Sequence, residues 1–268
     1  MKKNRQTDRL RIEKIRGKGP EEIFNKNAQK HDSIVHNYSK LACDALKKEH
    51  PYLEFRFREK ITKKEINDKL NNIDERLGVT LIVGNASIKP DGGILEVKDD
   101  NGNWRVVLVS EAKHQGKDIE NISKGILVGK NKDQTFMIAG NAIERSHKNI
   151  NEFRNFMIGE KHFPYILFLQ GSNFLTETIK IQTPDGTEII LQHDVGSLNR
   201  IDRLTAANYS LPINKNSCEN IIIKVDNQMI MLQAVSIFTK PREWTSDEML
   251  PIMVDIANTS LRVLGLTT

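Results

Sequence analysis

The sequence lacks the features that mark secreted, zinc-binding and membrane-spanning proteins. Its 268 residues include two cysteines, Cys43 and Cys218, and no Cys-x-x-Cys or mixed His/Cys cluster. Neither a disulfide framework nor a zinc site is therefore expected. No apolar run approaches the roughly 18 residues of a transmembrane helix, and the opening segment MKKNRQTDRLRIEK has no apolar signal-peptide core. We therefore expect a cytoplasmic protein without membrane association.

Positive charge is the main compositional bias, and it is concentrated near the N-terminus. The net charge is +5 and the pI is about 9.0. Residues 1–30 contain ten Lys/Arg and four Asp/Glu, so the rest of the chain is close to neutral. Such an arm is typical of contacts with nucleic-acid phosphates, although a solvated tail has the same composition. Because no repeat or low-complexity linker occurs, we expect residues 1–268 to form a single domain, with 1–20 a basic, flexible arm.

Hydrophobic periodicity predicts strands interleaved with helices. The last helix begins at a capping box, Thr245-x-x-Glu248, and two hairpins are predicted, one around the Asn101-Gly102 turn and one over residues 179–192. Predicted helices cover 31–51 (ending before Pro51), 63–78, 118–130, 141–160 and 245–264, and predicted strands cover 53–59, 79–84, 164–171 and 230–238. This pattern indicates the α/β class, with a mixed central β-sheet flanked by helices.

Charged residues follow directly on a predicted buried strand. The apolar run Val107–Val109 leads to Glu111 and Lys113, which alternation places on the same face. The predicted hairpin can return Glu111 to the neighbourhood of Asp91, in the stretch SIKPDGG. Two carboxylates with backbone oxygens form a hard site suited to Mg²⁺, and a lysine beside it can orient water and offset phosphate charge. These residues predict metal-assisted phosphodiester hydrolysis.

The short motif alone also has an ordinary structural interpretation. Glu-x-Lys is common on exposed strand edges, where it needs no ligand. Pro-Asp-Gly is a frequent turn, and the sequence repeats it in TPDGTE, residues 183–188. The motif therefore needs support from a wider part of the chain.

That support comes from longer segments whose sequences and spacing resemble one family. From about residue 31 to 265 the chain resembles the EcoRI-like type II restriction endonucleases, in the segments SIKPDGG, EVKDD, WRVVLV, EAKHQGKDI, GNAIERSHKNI, GSNFLTE, DRLTAANY and TSLRVLG. The resemblance implies the PD-(D/E)xK restriction-endonuclease-like fold, a homodimer and Mg²⁺-dependent double-strand cleavage of a palindromic DNA site. It implies that Asp91 and Glu111 bind the metal with the Ala112 carbonyl, and that Lys113 acts on water and phosphate. A matching DNA methyltransferase would protect host sites.

A polar stretch, GNAIERSHKN, opens the predicted helix from 141 and carries candidate base-reading residues. Asn141 can pair bidentately with adenine, and Arg145 can reach a purine edge in the major groove. Glu144 can accept from an exocyclic amine or hold an arginine of a partner subunit, while Lys148 suits phosphates. The alternative is an ordinary amphipathic helix with a solvated first turn.

The resemblance extends this set and contains one departure. It implies further base contacts from Ala142, Gln115, Arg200 and Arg203, and phosphate contacts from Lys89 and Lys117 beside Lys148. Arg200 and Arg203 also fit a surface ion-pair patch. The expected site is GAATTC. Where the family has Met-Ala-Ala before the recognition glycine, this chain has Met137-Ile138-Ala139, so Ile138 is expected to influence tolerance for neighbouring bases.

Two other functions remain open from the sequence. A PD-(D/E)xK nuclease of DNA repair or junction resolution would read DNA shape and would not need the Asn141/Arg145 cluster. A non-cutting DNA-binding protein of the same fold would be expected to have lost part of the Asp/Glu/Lys set, which is intact here. For a homodimer, the helices from 141 and 245 are the candidate interface elements, matching two-fold protein symmetry to a palindrome.

Overall fold

A five-stranded mixed sheet forms the centre of the computed structural model, which describes residues 26–116, 118–126, 141–175, 177–191, 218–233 and 235–268. In their order across the sheet, the strands are β1 (Phe55–Arg58), β4 (Gly93–Lys98), β5 (Trp104–His114), β6 (Tyr165–Gln170) and β11 (Val235–Lys240). The first three are antiparallel, whereas β5, β6 and β11 are parallel. The predicted α/β fold with a mixed central sheet is confirmed.

Helices cover both faces of this sheet. The helices are α1 (Lys26–Glu49), α2 (Lys63–Asn71), α3 (Asp118–Ser123), α4 (Asn141–Phe156) and α5 (Ser246–Val263). One core joins α2 and α4 to residues such as Val109 and Leu167, and the other joins α1 and α5 to residues such as Leu108 and Ile166. Because neighbouring strand residues point to opposite faces, a fully buried β6 supplies both cores, as expected for a central strand.

In the described part of the chain, six further strands pair outside the central sheet. They form three antiparallel pairs: β2 (Ile61–Thr62) with β3 (Ser87–Ile88), β7 (Ile179–Gln182) with β8 (Glu188–Leu191), and β9 (Ile221–Val225) with β10 (Gln228–Leu232). Both predicted hairpins are present, the first as β4–β5 and the second as β7–β8. Two single 3-10 turns, Glu75–Leu77 and Ser172–Phe174, complete the described elements. Among the described residues, no helix is both long and apolar enough to cross a bilayer.

The predicted strand 79–84 is wrong. This segment is a loop in which Ile82 is 96% exposed. Its backbone is bound to α2, because the Asn67 side chain accepts from the Leu81 N–H at 2.9 Å and donates to the Leu81 carbonyl at 2.7 Å. The Leu81 N–H and carbonyl are already bonded to the Asn67 side chain, and among the described residues the apolar run pairs with no strand.

The helix predicted over 118–130 ends at Ser123, and the helix predicted over 141–160 ends at Phe156. Two further boundaries differ where a polar side chain interrupts the pattern. The predicted strand 230–238 is divided between β10 and β11, with the buried Gln233 between them accepting from Arg154 at 2.8 Å. The predicted helix 63–78 ends as an α-helix at Asn71 and continues into a separate 3-10 turn, where Asp74 caps Arg76. In both places a polar side chain marks the interruption of an otherwise apolar pattern.

Candidate active site

The β4–β5 hairpin brings Asp91 beside Glu111. Gly93 pairs with Ser110, and the Gly92 N–H donates to the Ser110 carbonyl at 2.9 Å. A Cβ at Gly92 would lie 2.2 Å from the Ser110 hydroxyl oxygen. This close approach requires glycine and holds the preceding Asp91 against the end of β5.

Lys113 connects the three oxygen-bearing residues of the predicted site. Its Nζ donates to Asp91 Oδ2 at 2.5 Å, to Glu111 Oε1 at 2.5 Å and to the Ala112 carbonyl at 2.8 Å. Glu111 and Lys113 project from the same face of β5, as alternation predicts. All four residues predicted from sequence to carry the chemistry are therefore together in space.

The geometry of the oxygen set suits a hard cation. Two carboxylate oxygens and one backbone carbonyl oxygen converge on a single positive group, the Lys113 ammonium. Oxygen ligands of these types bind Mg²⁺. The part of the chain that the structure describes contains no group of three or more His, Cys, Asp or Glu side chains arranged for a metal. The residues of this cluster that could hold a metal are Asp91, Glu111 and the Ala112 carbonyl, which supply two carboxylates and one backbone oxygen.

Burial determines the electrostatics of the cluster. Glu111 is only 1% exposed, and this burial, with the charge of Asp91, raises the pKa of its carboxyl group against the opposing effect of Lys113. Burial works to lower the pKa of Lys113, but the charges of Glu111 and Asp91 outweigh it and leave that pKa above its ordinary value. Lys113 therefore remains protonated.

Three residues near this cluster were not identified from the sequence. Asn149 on α4 donates its amide to Glu111 Oε1 at 3.1 Å, and the Tyr165 hydroxyl donates to Glu111 Oε2 at 3.4 Å. Asp32 on α1 is influenced by the same charges. Its burial, and next the charge of Asp91, raise the pKa of its carboxyl group to about 7. Tyr165 could have been identified from the sequence, because it is a polar-tipped residue in the otherwise apolar run before Gln170 in PYILFLQ. A buried tyrosine needs a hydrogen-bond partner for its hydroxyl.

Burial, followed by the charges of Glu111 and Asp91, raises the pKa of Tyr165 well above its usual value. The Tyr165 hydroxyl therefore remains protonated and donates a hydrogen bond to the Glu111 carboxylate. The Glu111 side chain thus receives hydrogen bonds from both sheet and helix elements, not only from its own strand.

Those candidate DNA-reading residues that the structure describes lie in two regions. Asn141, Ala142, Glu144 and Arg145 occupy the first turns of α4, where Arg145 and, one turn later, Lys148 are exposed. For Asn141, Ala142 and Glu144 the structure describes the helical backbone and not the side chains.

The other described candidates flank the oxygen cluster. Gln115 follows β5, its N–H donates to the Gln170 carbonyl at 2.9 Å, and its buried Oε1 has no partner among the described residues. Lys89 is exposed and lies 3.5 Å from Glu59. Four further candidates, Lys117, Ile138, Arg200 and Arg203, fall outside the described residues, as does the N-terminal arm.

Comparisons with known proteins match this chain to one family over most of its length. The family model described as restriction endonuclease EcoRI matches residues 17–268. The chain is 58% identical over 267 residues to the type II restriction enzyme EcoRI of Escherichia coli, covering 99% of this chain and 96% of that protein. It is 52% identical over 257 residues to the type II restriction enzyme RsrI of Cereibacter sphaeroides, covering 96% and 93%. The chain therefore belongs to the EcoRI family of type II restriction endonucleases.

Proposed function

We propose that this restriction endonuclease acts as a homodimer that recognises GAATTC in duplex DNA and hydrolyses one phosphodiester in each strand with Mg²⁺. The observation that carries the proposal is the convergence of the Asp91, Glu111 and Ala112 oxygens on the Lys113 ammonium. Membership of the EcoRI family adds independent support. A matching DNA methyltransferase would protect host sites in the cytoplasm, where both enzymes would meet DNA.

The metal would be held by Asp91, Glu111 and the Ala112 carbonyl. When bound, Mg²⁺ would supply a more acidic water and neutralise charge on the phosphate. Glu111, being buried, is the rigid member of this set, whereas Asp91 is more accessible, with a side chain 26% exposed. This difference leaves the Asp91 side of the site open to the DNA backbone.

Lys113 has a separate task in the proposed reaction. Its protonated ammonium lies within hydrogen-bonding distance of both carboxylates, so a small movement would let it donate to the attacking water or to a phosphate oxygen. A positive group placed where negative charge develops stabilises the transition state. We therefore assign Lys113 to orienting water and offsetting phosphate charge.

Base reading is assigned to the start of α4 and to its neighbours. Asn141, Ala142, Glu144 and Arg145 would face base edges, since amide and guanidinium groups form bidentate contacts in the major groove. Gln115, Ile138, Arg200 and Arg203 would complete the base contacts. Lys89, Lys117 and Lys148 would contact phosphates, which position the protein without reading sequence. The basic arm, residues 1–20, would extend this contact along the duplex from a single nuclease domain.

The second copy of the chain is proposed to bind next to α4. A groove there is lined by Asn151, Arg154, Ile158 of the following turn and Met229 of β10. Ile158 and Met229 both line the groove and are exposed, the latter 66%, and exposed apolar side chains in a groove suit an interaction site. By contrast, the apolar stripe of α5 packs inside the subunit against α1 and β5. This favours α4 over α5 as the principal interface helix.

Cleavage assays test the proposal directly. The protein is incubated with Mg²⁺ and with otherwise identical DNA carrying or lacking GAATTC, beside Glu111→Gln and Lys113→Ala. We expect discrete fragments only from the first DNA, and a rate lowered on the order of 10³-fold in each variant. Glu54→Gln and Lys98→Ala, which remove an exposed ion pair of 2.9 Å at the far end of the sheet, are the matched controls and should cut normally.

The outcomes separate the remaining possibilities. Discrete fragments at another sequence would overturn GAATTC and direct attention to Ile138, for which Ile138→Ala is the first comparison. Cleavage guided by DNA junctions or damage would identify a repair nuclease. DNA binding without cutting by Mg²⁺-supplied dimer would contradict the proposed reaction, and undiminished cutting by both active-site variants would refute the proposed site.

A further inference from the structure

The Glu111 carboxylate is bonded on both of its oxygens. Oε1 accepts from Lys113 Nζ at 2.5 Å and from Asn149 Nδ2 at 3.1 Å. Oε2 accepts from the Asp91 N–H and from the Tyr165 hydroxyl, each at 3.4 Å. A carboxylate buried to this degree must be hydrogen-bonded to remain charged. The two oxygens have different neighbours, because Oε1 is bonded to the Lys113 ammonium, whereas Oε2 is bonded to the Asp91 backbone and the Tyr165 hydroxyl.

Strand register explains how Tyr165 reaches this carboxylate. In the parallel pair β5–β6, Tyr165 is opposite Val109, and Leu167 is opposite Glu111. Residues two apart share a face, so Tyr165, Val109 and Glu111 all point towards α4. A tyrosine ring extends further from the backbone than an aliphatic side chain does. Its hydroxyl therefore reaches the carboxylate one step along the neighbouring strand.

The Tyr165 ring is itself fixed by other aromatic rings. Tyr165 is fully buried, stacks on Phe163 at 5.8 Å and meets Phe153 of α4 edge-on at 5.8 Å. Such packing holds a side chain in one rotamer. The hydroxyl is consequently a donor whose position is determined by the core.

We propose that Tyr165 is a positioning residue that fixes the rotation of the Glu111 carboxylate, so that Oε1 is presented to the metal. The terminal torsion of glutamate is broad and roughly two-fold, so the carboxylate plane can turn unless Oε2 is held as well as Oε1. The Asp91 N–H and the Tyr165 hydroxyl both hold Oε2, and the Tyr165 hydroxyl is the one fixed by the aromatic core. A rigid donor on Oε2 restricts that rotation. Tyr165 touches neither metal nor DNA in this scheme, which rests on the proposed Mg²⁺ site.

The test compares Tyr165→Phe with Tyr38→Phe, which removes a hydroxyl from a half-buried tyrosine of the other core. Three quantities are measured on the full-length protein: the single-turnover cleavage rate against Mg²⁺ concentration, the affinity for GAATTC DNA in EDTA, and Mn²⁺ binding to the DNA complex by equilibrium dialysis. For Tyr165→Phe we expect weaker Mn²⁺ binding and a rate about tenfold lower, the size of one hydrogen bond to a charged group. DNA affinity in EDTA and the Tyr38→Phe protein should be unchanged.

A second comparison distinguishes positioning from general damage to the fold. In a Glu111→Gln background, Tyr165→Phe should cause no additional loss of Mn²⁺ binding, because the group on which it acts has been replaced. An additive loss would overturn the inference, as would equal losses of DNA affinity and metal binding. Unchanged rate and Mn²⁺ binding in Tyr165→Phe, with active wild-type protein, would also refute it. Failure of the wild-type protein itself to cut would instead count against the proposed function.

Discussion

The hydroxyl groups of Ser39 and Ser110 lie 2.5 Å apart, and both residues are fully buried. This hydrogen bond joins α1 to β5 one residue before Glu111. Gly92 packs on the same Ser110 hydroxyl, so the bond also supports the turn that carries Asp91. The helix on one face of the sheet thereby helps to hold the oxygen cluster on the other.

We predict that the two serines are energetically coupled. Ser39→Ala or Ser110→Ala alone should lower the free energy of unfolding by about 1–2 kcal/mol, because each leaves a buried hydroxyl without its partner. The double variant should lose less than the sum of the two. Urea unfolding of the four proteins measures the coupling, and Ser33→Ala on the exposed side of α1 is the control. Strict additivity would show that the bond contributes nothing.

Gly171, which follows β6, is predicted to tolerate no side chain. Its φ is +115°, and a Cβ there would lie 2.2 Å from the Gln115 carbonyl oxygen. Gly171→Ala should therefore lower the free energy of unfolding by about 3 kcal/mol, from backbone strain and the clash together. Chemical denaturation measures this loss.

Gly159→Ala provides the matched control for that substitution. A Cβ at Gly159 would meet nothing within 4 Å, so its stability should be within about 0.5 kcal/mol of the parent. If both alanine variants unfolded at the same denaturant concentration, the close approach of Gly171 to Gln115 would be refuted.

His31 is predicted to make stability depend on pH. Burial lowers its pKa to about 4, while the Phe168 carbonyl accepts a hydrogen bond from Nε2 at 3.3 Å, whereas the unfolded value is about 6.5. Between these values the unfolded chain binds the extra proton. Stability contributed by neutral His31 is therefore present above pH 6.5 and is lost as pH falls towards 4, by roughly 3 kcal/mol at most.

The measurement compares urea unfolding of the wild-type protein and His31→Gln from pH 7.5 to 4.5. As pH falls, the free energy of unfolding should decrease more in the wild-type protein than in His31→Gln, because glutamine does not titrate. Parallel curves across this range would contradict the prediction.

Met229→Glu is predicted to weaken self-association. A charge in the groove beside α4 would be desolvated on contact with a second copy, which disfavours the dimer. Sedimentation at decreasing protein concentration should show the variant dissociating at a concentration at least about tenfold higher than the parent. Val79→Glu places the same charge in the exposed loop 79–84, outside the groove beside α4, and should behave as wild type. An unchanged dimer in Met229→Glu would place the interface elsewhere.

Local pattern was sufficient to predict one part of the site. Period-two alternation placed Glu111 and Lys113 on one face, and the hairpin around Asn101-Gly102 brought Asp91 to them. These relations depend on neighbouring segments of chain. They could be derived from residue order and strand geometry.

The rest of the cluster depends on contacts between distant segments. Asn149 and Tyr165 reach Glu111 because β6 pairs in parallel with β5 and α4 crosses that face. Parallel pairing requires a long connection, and no local pattern specifies its register. The error at 79–84 has a related cause, since its apolar run resembles a strand while Asn67 bonds to its backbone instead.

The central position of β6 has a consequence for biosynthesis. Asp91, Glu111 and Lys113 emerge from the ribosome well before Tyr165, and β6 is enclosed only when β11 pairs with it at Val235. Closing a loop over such a separation costs chain entropy before the stabilising contacts between the strands can form. A nascent chain therefore carries the acidic residues long before it can hold them in place. The proposed catalytic cluster is therefore expected to be fully assembled only when synthesis is nearly complete.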